Sequence, residues 1–351
     1  MITPEVPKFS YEEMTSPEKR PGLEKVSSQM VDALRKYLTA RLSLMYAQTA
    51  SFDEKQGQAL VTNSREEMPK EIDLIEKHRG QGPLSKPERT ILESFWGMAG
   101  QLQRTTRAEE LNEEFQHLEK WADRDERWTI DSVRAETKKN NIGSAEWENQ
   151  AVRMIYSLRD SGAGRAFLRD FWQSLDQVSR CFKHHEREGQ RVRNSVLGVC
   201  ATIDTLEGLG FEVYLPDPEQ DAVEGIDLIG VMGKAMFIIQ VKSHFGKKFE
   251  MKTKEIRQYN YRQPETSRER LLQNQRNKLL TGKERYGKLF GQLGIDCQVV
   301  PVWVDVTVNP TQKGEQDPIT GKVDLPSDFR ESEFAGQVYS AVERGGGHVV
   351  S

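Results

Sequence analysis

Apolar residues recur every three to four positions over the first half of the chain, which is the spacing of one face of an α-helix. One such stripe begins at Met30, a second follows Ser85, and another runs from Trp147 to Leu158. After Gly189 the pattern changes to short apolar runs separated by glycines, which is typical of strands. The pattern therefore predicts a helical first half and a second half that mixes helices with strands.

The second half predicts a helix, three strands, a long charged segment with helical stretches, and a fourth strand. The strands are expected over 211–215, 226–231, 235–242 and 298–306, and the helical stretches over 250–293. Pro301 favours an irregular or edge position for the fourth strand, because proline has no N–H to give to a ladder. We expect a flexible lead-in over 1–20, an all-α domain over 21–185, and an α/β domain with a small mixed sheet over 186–351.

Composition narrows the function classes. No apolar run approaches the roughly 20 residues that span a bilayer, and the first residues do not form a secretory signal. The 3 cysteines are too few and too widely spaced for a disulfide framework or a zinc site, so we expect a cytoplasmic protein without a membrane partner.

Charge is distributed unevenly along the chain. The net charge is -4, yet residues 242–288 contain 14 Lys and Arg against 5 Asp and Glu. A segment of +9 inside an acidic protein indicates an acidic partner, most often nucleic acid. A solvated helix face is the alternative explanation of the same charge.

Three polar residues converge in the second half, at the end of a predicted hairpin. A two-residue loop at Gly233 and Lys234 sets Asp227 opposite Gln240, and side-chain alternation sets Lys242 on the same face. A carboxylate is a ligand for Mg²⁺ or Mn²⁺, and a lysine can neutralise charge that develops on a phosphate. Gln240 can offer an amide oxygen or an NH₂ group. The alternative is a structural Asp–Lys pair that closes the hairpin.

These residues resemble a known family. The order helix, Gly-Phe-Glu-Val strand, Gly-Ile-Asp-Leu-Ile and Ile-Ile-Gln-Val-Lys-Ser is similar to the PD-(D/E)xK nuclease superfamily, and more narrowly to its Mrr-like restriction endonucleases, in which Gln replaces the usual acid. The similarity covers roughly residues 190–310. It implies a restriction-endonuclease-like fold and metal-dependent cleavage of DNA, with Asp227, Gln240 and Lys242 as catalytic residues and Asp227 and Gln240 as metal ligands.

One position departs from the family. The family carries a Glu on the first core helix, and Val199 stands at that position here. Glu188 lies on the same helical stripe, three turns earlier, and is our candidate for the remaining metal ligand.

The basic segment supplies candidate nucleic-acid contacts. Its lysines and arginines would neutralise phosphates, and its tyrosine would stack on a base. The candidates are Lys247, Lys248, Lys252, Lys254, Arg257, Tyr259 and Arg262.

The sequence thus predicts a Mg²⁺- or Mn²⁺-dependent endonuclease of a defence or repair system, with DNA favoured over RNA as the substrate. The helical domain would position the substrate or recruit a protein partner. Two alternatives stay open. One is a catalytically inactive nucleic-acid-binding module of the same fold, and the other is a protein-interaction factor that acts through its helical domain.

Overall fold

The computed structural model describes residues 86–120, 130–179, 185–246, 250–256, 266–308, 316–323 and 333–344. Four helices come first: α1 (Lys86–Lys120), α2 (Ile130–Leu158), α3 (Gly162–Ser179) and α4 (His185–Gly208). They are followed by β1 (Glu212–Tyr214), α5 (Pro218–Glu224), β2 (Leu228–Met232), β3 (Ala235–Phe245), β4 (Glu250–Glu255), α6 (Ser267–Leu293), β5 (Gln298–Val308) and α7 (Glu333–Arg344). The expected lead-in and the stripe that begins at Met30 lie outside the described residues.

The strands form one small mixed sheet, which confirms the predicted α/β architecture. Their order is β1-β2-β3-β5-β4, with β3 and β5 parallel and the other neighbours antiparallel. The predicted hairpin register is confirmed, since Leu228 pairs with Ile239 and Met232 with Ala235. Gly233 provides the left-handed backbone that this tight turn needs, with φ of 57°.

The charged segment after the hairpin differs from its prediction. Residues 250–255 begin the segment that was expected to contain helical stretches, but they form strand β4 at the edge of the sheet beside β5. Of the two positions expected for the strand with Pro301, irregular or edge, the edge is wrong, because β5 lies between β3 and β4. The Pro301 carbonyl accepts a hydrogen bond from the Ile256 N–H at 2.9 Å, just past the end of β4. Pro301 therefore lacks its N–H at a point where β4 has already ended, so no hydrogen bond of the β4 ladder is lost. For this reason the interior strand β5 tolerates the proline.

Two hydrophobic cores cover the two faces of the sheet. One combines α1 to α4 and α7 with sheet residues such as Phe237 and Val304. The other joins the opposite face, through residues such as Ile238 and Trp303, to α6. Because the first core runs without a break from the helical half into the sheet, these two regions pack as neighbours. The domain boundary near residue 185 stays a prediction.

A buried carboxylate ties the helical half to the sheet region. Asp204 of α4 accepts hydrogen bonds from the Tyr156 hydroxyl at 2.8 Å and the Arg159 guanidinium at 2.7 Å. Its second oxygen accepts from the Val323 N–H at 3.2 Å, near the end of a turn over 317–322. Arg159 and Asp204 are only 13% and 10% exposed, so each would be poorly solvated without the other.

None of the described helices combines the length and apolarity that a membrane-spanning segment requires.

We expect Asp204→Asn to lower the free energy of unfolding by roughly 3 kcal/mol, because it leaves the Arg159 charge buried without its partner. Urea unfolding followed by circular dichroism measures the change. Asp160→Asn is the matched control, since Asp160 is 57% exposed and lies 3.7 Å from Lys322. It should cost less than about 1 kcal/mol. Equal losses in the two variants would contradict the role assigned to Asp204.

Candidate functional site

The candidate site begins where β3 continues beyond the end of its partner strand. Backbone pairing with β2 stops at Leu228 and Ile239, so the Val241 N–H faces a side that has no strand. The Asp227 carboxylate takes the place of the missing strand, because its Oδ2 accepts from the Val241 N–H at 2.6 Å and also from the Gln240 side-chain amide. The predicted proximity of Asp227 and Gln240 is thereby confirmed, and Gln240 acts on Asp227 as a hydrogen-bond donor.

A short helix fixes the direction from which Asp227 arrives. Asp217 and Gln220 form a capping box at the start of α5, and Gly225 ends the helix in a left-handed conformation with φ of 64°. A Cβ on Gly225 would lie 2.8 Å from Gln240 Oε1, so glycine also leaves room for that amide. Sequence patterning missed α5, which has seven residues and no long apolar stripe.

Two further carboxylates border the same pocket as Asp227, and sequence analysis singled out neither of them. Glu148 comes from α2, in the helical half, and its Oε2 accepts a hydrogen bond from the Ser195 hydroxyl of α4 at 3.0 Å. Asp221 comes from α5, beside the loop that leads to Asp227. No local pattern marks either acid as functional, because each one is brought to the site by tertiary packing alone.

Burial is the main cause that raises the pKa of each of the three carboxylates, and charge repulsion adds to it at Glu148 and Asp221. Burial, reinforced by the nearby Asp227 charge, raises the pKa of Glu148 to about 7. Burial and the charges of Asp227 and Glu148 raise the pKa of Asp221 well above its usual range. Burial also raises the pKa of Asp227, although Lys242 and the two N–H donors oppose the shift. This cluster therefore holds negative charge at a cost.

Two lysines face the carboxylates. Lys242 borders the cleft from β3 and Lys278 borders it from α6. Burial and the neighbouring Lys242 charge lower the pKa of Lys278, which donates to the Ala222 carbonyl at 3.1 Å. No carboxylate of the described residues lies within 4.0 Å of the Lys242 ammonium. The geometry thus differs from a closed structural Asp–Lys pair, and it leaves Lys242 available to a ligand.

We call this site the acidic cleft. It has a volume of about 240 Å³ and is open to solvent on one side. Besides the three acids and two lysines, its lining includes Asn141, Ser144, Ser195, Gln240 and Gln275. The Gln275 Oε1 is buried and has no hydrogen-bond partner among the described residues. The cleft therefore presents polar groups that its own walls leave unsatisfied.

No group of three acids, histidines or cysteines within the described ranges converges tightly enough to enclose a metal ion by itself. The acidic cleft does meet the looser needs of Mg²⁺, which binds through one or two carboxylates and completes its shell with waters and substrate phosphates. Neither the Asp221 carboxylate nor the second oxygen of the Asp227 carboxylate accepts a hydrogen bond from another described residue. Carboxylate oxygens are therefore free to serve as ligands.

The expected helix acid, Glu188, is not brought to the cleft. It is buried and forms an ion pair with Arg191 at 2.6 Å, and Arg191 also binds Glu109 at 2.7 Å. Val199, at the position where the family has an acid, is buried in the first hydrophobic core. An acid reaches the cleft from α2 instead, through Glu148.

The predicted nucleic-acid contacts divide into two groups. Lys252 and Lys254 are exposed on β4. The others lie outside the described residues: Lys247, Lys248, Arg257, Tyr259 and Arg262.

No family model matches the chain, and no curated protein or solved structure is significantly similar to it.

We expect Glu148→Gln to stabilise the metal-free protein above pH 7. The folded-state pKa of Glu148, about 7, exceeds the unfolded value of 4.5, so ionisation opposes folding. The penalty is absent below pH 4.5, grows as the pH rises towards 7, and is complete above it. Thermal unfolding in EDTA should show a gain on the order of 2 to 3 kcal/mol at pH 8 and little gain at pH 4.5.

The control for this prediction is Glu113→Gln, which removes an exposed carboxylate from α1. It should leave the pH dependence of stability unchanged. If the stability of Glu148→Gln follows that of the wild type at every pH, its surroundings do not disfavour ionisation of Glu148.

Proposed function

We propose that this protein is a metal-dependent nuclease that cleaves phosphodiester bonds in DNA. The observation that carries the proposal is the convergence of Glu148, Asp221 and Asp227 with Lys242 and Lys278 on one small polar cleft. Carboxylates bind a hard divalent cation, and lysines neutralise phosphate, so both halves of a phosphodiester site are present.

The element order supports the same proposal. Helix α4, strands β1 to β3, helix α6 and strand β5 follow one another as the resemblance to the PD-(D/E)xK nucleases implies. Asp227, Gln240 and Lys242 all line the cleft. Two insertions, α5 and β4, interrupt that order, and α5 adds Asp221 to the site.

Asp227 is the first residue that would hold a Mg²⁺ or Mn²⁺ ion, and Asp221 is the neighbouring acid that would share it. A bound divalent ion polarises a phosphoryl oxygen and lowers the pKa of bound water. Gln240 donates to Asp227 and so fixes the direction of its free oxygen. Metal ligation by the Gln240 amide oxygen stays a prediction.

The protein's own groups can carry the proton and the charge. Hydrolysis forms a P–O bond from water and breaks the bond to the leaving oxygen. Glu148, whose pKa is about 7, is suited to accept the proton of the attacking water at neutral pH. Lys242 and Lys278 stabilise the charge on the phosphoryl oxygens, and the leaving oxygen takes a proton from solvent.

A non-catalytic nucleic-acid-binding module is the second candidate. It is favoured by the absence, among the described residues, of three acids close enough to form a complete metal-binding group. The two candidates share the lysines and the phosphate chemistry, and they differ only in turnover.

We expect the purified protein to nick plasmid DNA with Mg²⁺ or Mn²⁺ and not with EDTA. Asp227→Asn and Glu148→Gln should each reduce nicking by at least two orders of magnitude, because each removes an anionic oxygen from the reacting centre. Lys242→Ala should reduce the rate by a similar factor, roughly 3 kcal/mol of transition-state stabilisation, and leave Mn²⁺ binding intact.

Lys234→Ala is the control for these variants, because Lys234 is exposed at the β2–β3 turn and pairs with Asp296. It should nick at the wild-type rate. If the wild-type protein leaves duplex, single-stranded and modified DNA, as well as RNA, intact with both metals, the nuclease proposal fails and the binding module takes its place.

A further inference from the structure

A row of cations leads from the acidic cleft across the sheet to its edge. Its members lie on α6, β3 and β4, and we call them the cationic strip: Lys278, Lys242, Arg276, Lys254 and Lys252. The strip begins with the two lysines of the cleft and ends on the edge strand.

The strand register places the three strand lysines of the strip, Lys242, Lys252 and Lys254, on one face of the sheet. Lys242 pairs with Asp305 of β5, and Asp305 pairs in turn with Lys252 of β4. Direct partners point their side chains to the same face, so Lys242 and Lys252 lie on one side, two strand spacings apart. That separation is about 10 Å. Lys252 and Lys254 are exposed, so this end of the face is open to a partner.

The second row of this face carries the arginine. Gln240 pairs with Trp303, which pairs with Lys254. The Arg276 guanidinium lies 5.1 Å from the Trp303 ring centre, and the Lys242 ammonium lies 5.8 Å from it. Arg276 Nε is buried and has no hydrogen-bond partner among the described residues. The buried indole thus holds two cations between the cleft and the edge.

Acidic groups interrupt the strip at two places, and each has partners of its own. Asp305 accepts a hydrogen bond from the Trp303 indole N–H at 3.1 Å and lies 3.3 Å from the His244 ring nitrogen. Glu250 binds Lys252 at 2.9 Å. Beyond the cleft, three cations of the strip outnumber these two acids, so this part of the face attracts an anion: Arg276, Lys254 and Lys252.

We propose that one strand of nucleic acid runs from the acidic cleft along the cationic strip to the edge at β4. The inference rests on the proposed function for its substrate, DNA, and adds the direction in which the bound strand leaves the cleft. Stacked nucleic acid has one charge per about 3.4 Å on each strand, so the 10 Å between Lys242 and Lys252 corresponds to about three nucleotides. The strand therefore contacts β4 roughly three nucleotides away from the phosphate in the cleft.

The test measures binding of the full-length protein in EDTA to fluorescent oligonucleotides of 2 to 12 nucleotides. Lys252→Ala with Lys254→Ala should weaken binding of the 12-mer about 10- to 30-fold at 0.1 M salt and flatten the salt slope by about 1.4. The 2-mer should bind the variant and the wild type equally, because it does not reach β4. Lys252→Arg with Lys254→Arg should restore binding, since it keeps both charges.

The matched control is Lys234→Ala with Lys288→Ala, which removes two exposed charges away from the strip. It should leave binding within about 2-fold of the wild type. An unchanged salt slope in the β4 variant overturns the proposal, and so does an equal loss in the control. Single-stranded DNA, duplex DNA and RNA form separate arms, and any of them that shows the β4-dependent slope supports the strip.

This experiment fails independently of the proposed function. Binding in EDTA requires no cleavage, so strip-dependent binding without nicking would remove the nuclease and keep the strip. Nicking that persists in the β4 variant, together with an unchanged slope, would remove the strip and keep the nuclease.

Discussion

The double hydrogen bond that the Asp227 carboxylate accepts from β3 is the interaction on which the site depends. It satisfies a backbone N–H that strand pairing leaves without a partner, at Val241, and it orders the Gln240 amide. Both donors meet the same oxygen, so the other oxygen of the carboxylate is left to the cleft. A residue that closes the hairpin is in this way also presented to a ligand. Replacing Asp227 by an apolar side chain would leave the Val241 N–H without its acceptor and would also remove a negative charge from the site.

The helical half is part of this site and not an appendage to it. Glu148 reaches the cleft because α2 is held by α1 on one side and by the chain beside α5 on the other. Trp147 donates its indole N–H to the Ser94 carbonyl of α1 at 3.0 Å, and Asn149 donates to the Pro216 carbonyl beside α5 at 3.0 Å. Successive residues of one helix thus bind the helical half, the cleft and the sheet region. A rotation of α2 would move an acid relative to Asp227, which gives the helical half a direct route to the chemistry.

Local pattern predicted the parts of the site that local geometry determines. The two-residue turn fixes the register that brings Asp227 to Gln240, and side-chain alternation fixes the face of Lys242. Strand β4 escaped prediction because its Glu-Met-Lys-Thr-Lys-Glu sequence has little apolar alternation, and its partner β5 is about 50 residues away. Glu148 escaped for a stronger reason, since about 80 residues separate it from Asp227. Only tertiary packing relates such positions, and a single sequence does not display it.

The electrostatic balance of the cleft differs from that of a structural ion pair. In a structural ion pair the attraction between the two charges would offset the cost of removing them from water. Both groups would then keep pKa values that favour ionisation. Here burial raises the pKa of all three carboxylates, at Glu148, Asp221 and Asp227, despite the two lysines. The fold therefore holds three carboxylates where burial and repulsion disfavour their ionisation, and the nearby cations offset this penalty only in part. A divalent cation would relieve this repulsion, and a phosphate beside it would give Lys242 and Lys278 the close partners that the carboxylates do not provide. Ligand binding would then stabilise the protein as well as assemble its chemistry, because a ligand that binds only the folded state shifts the unfolding equilibrium by mass action.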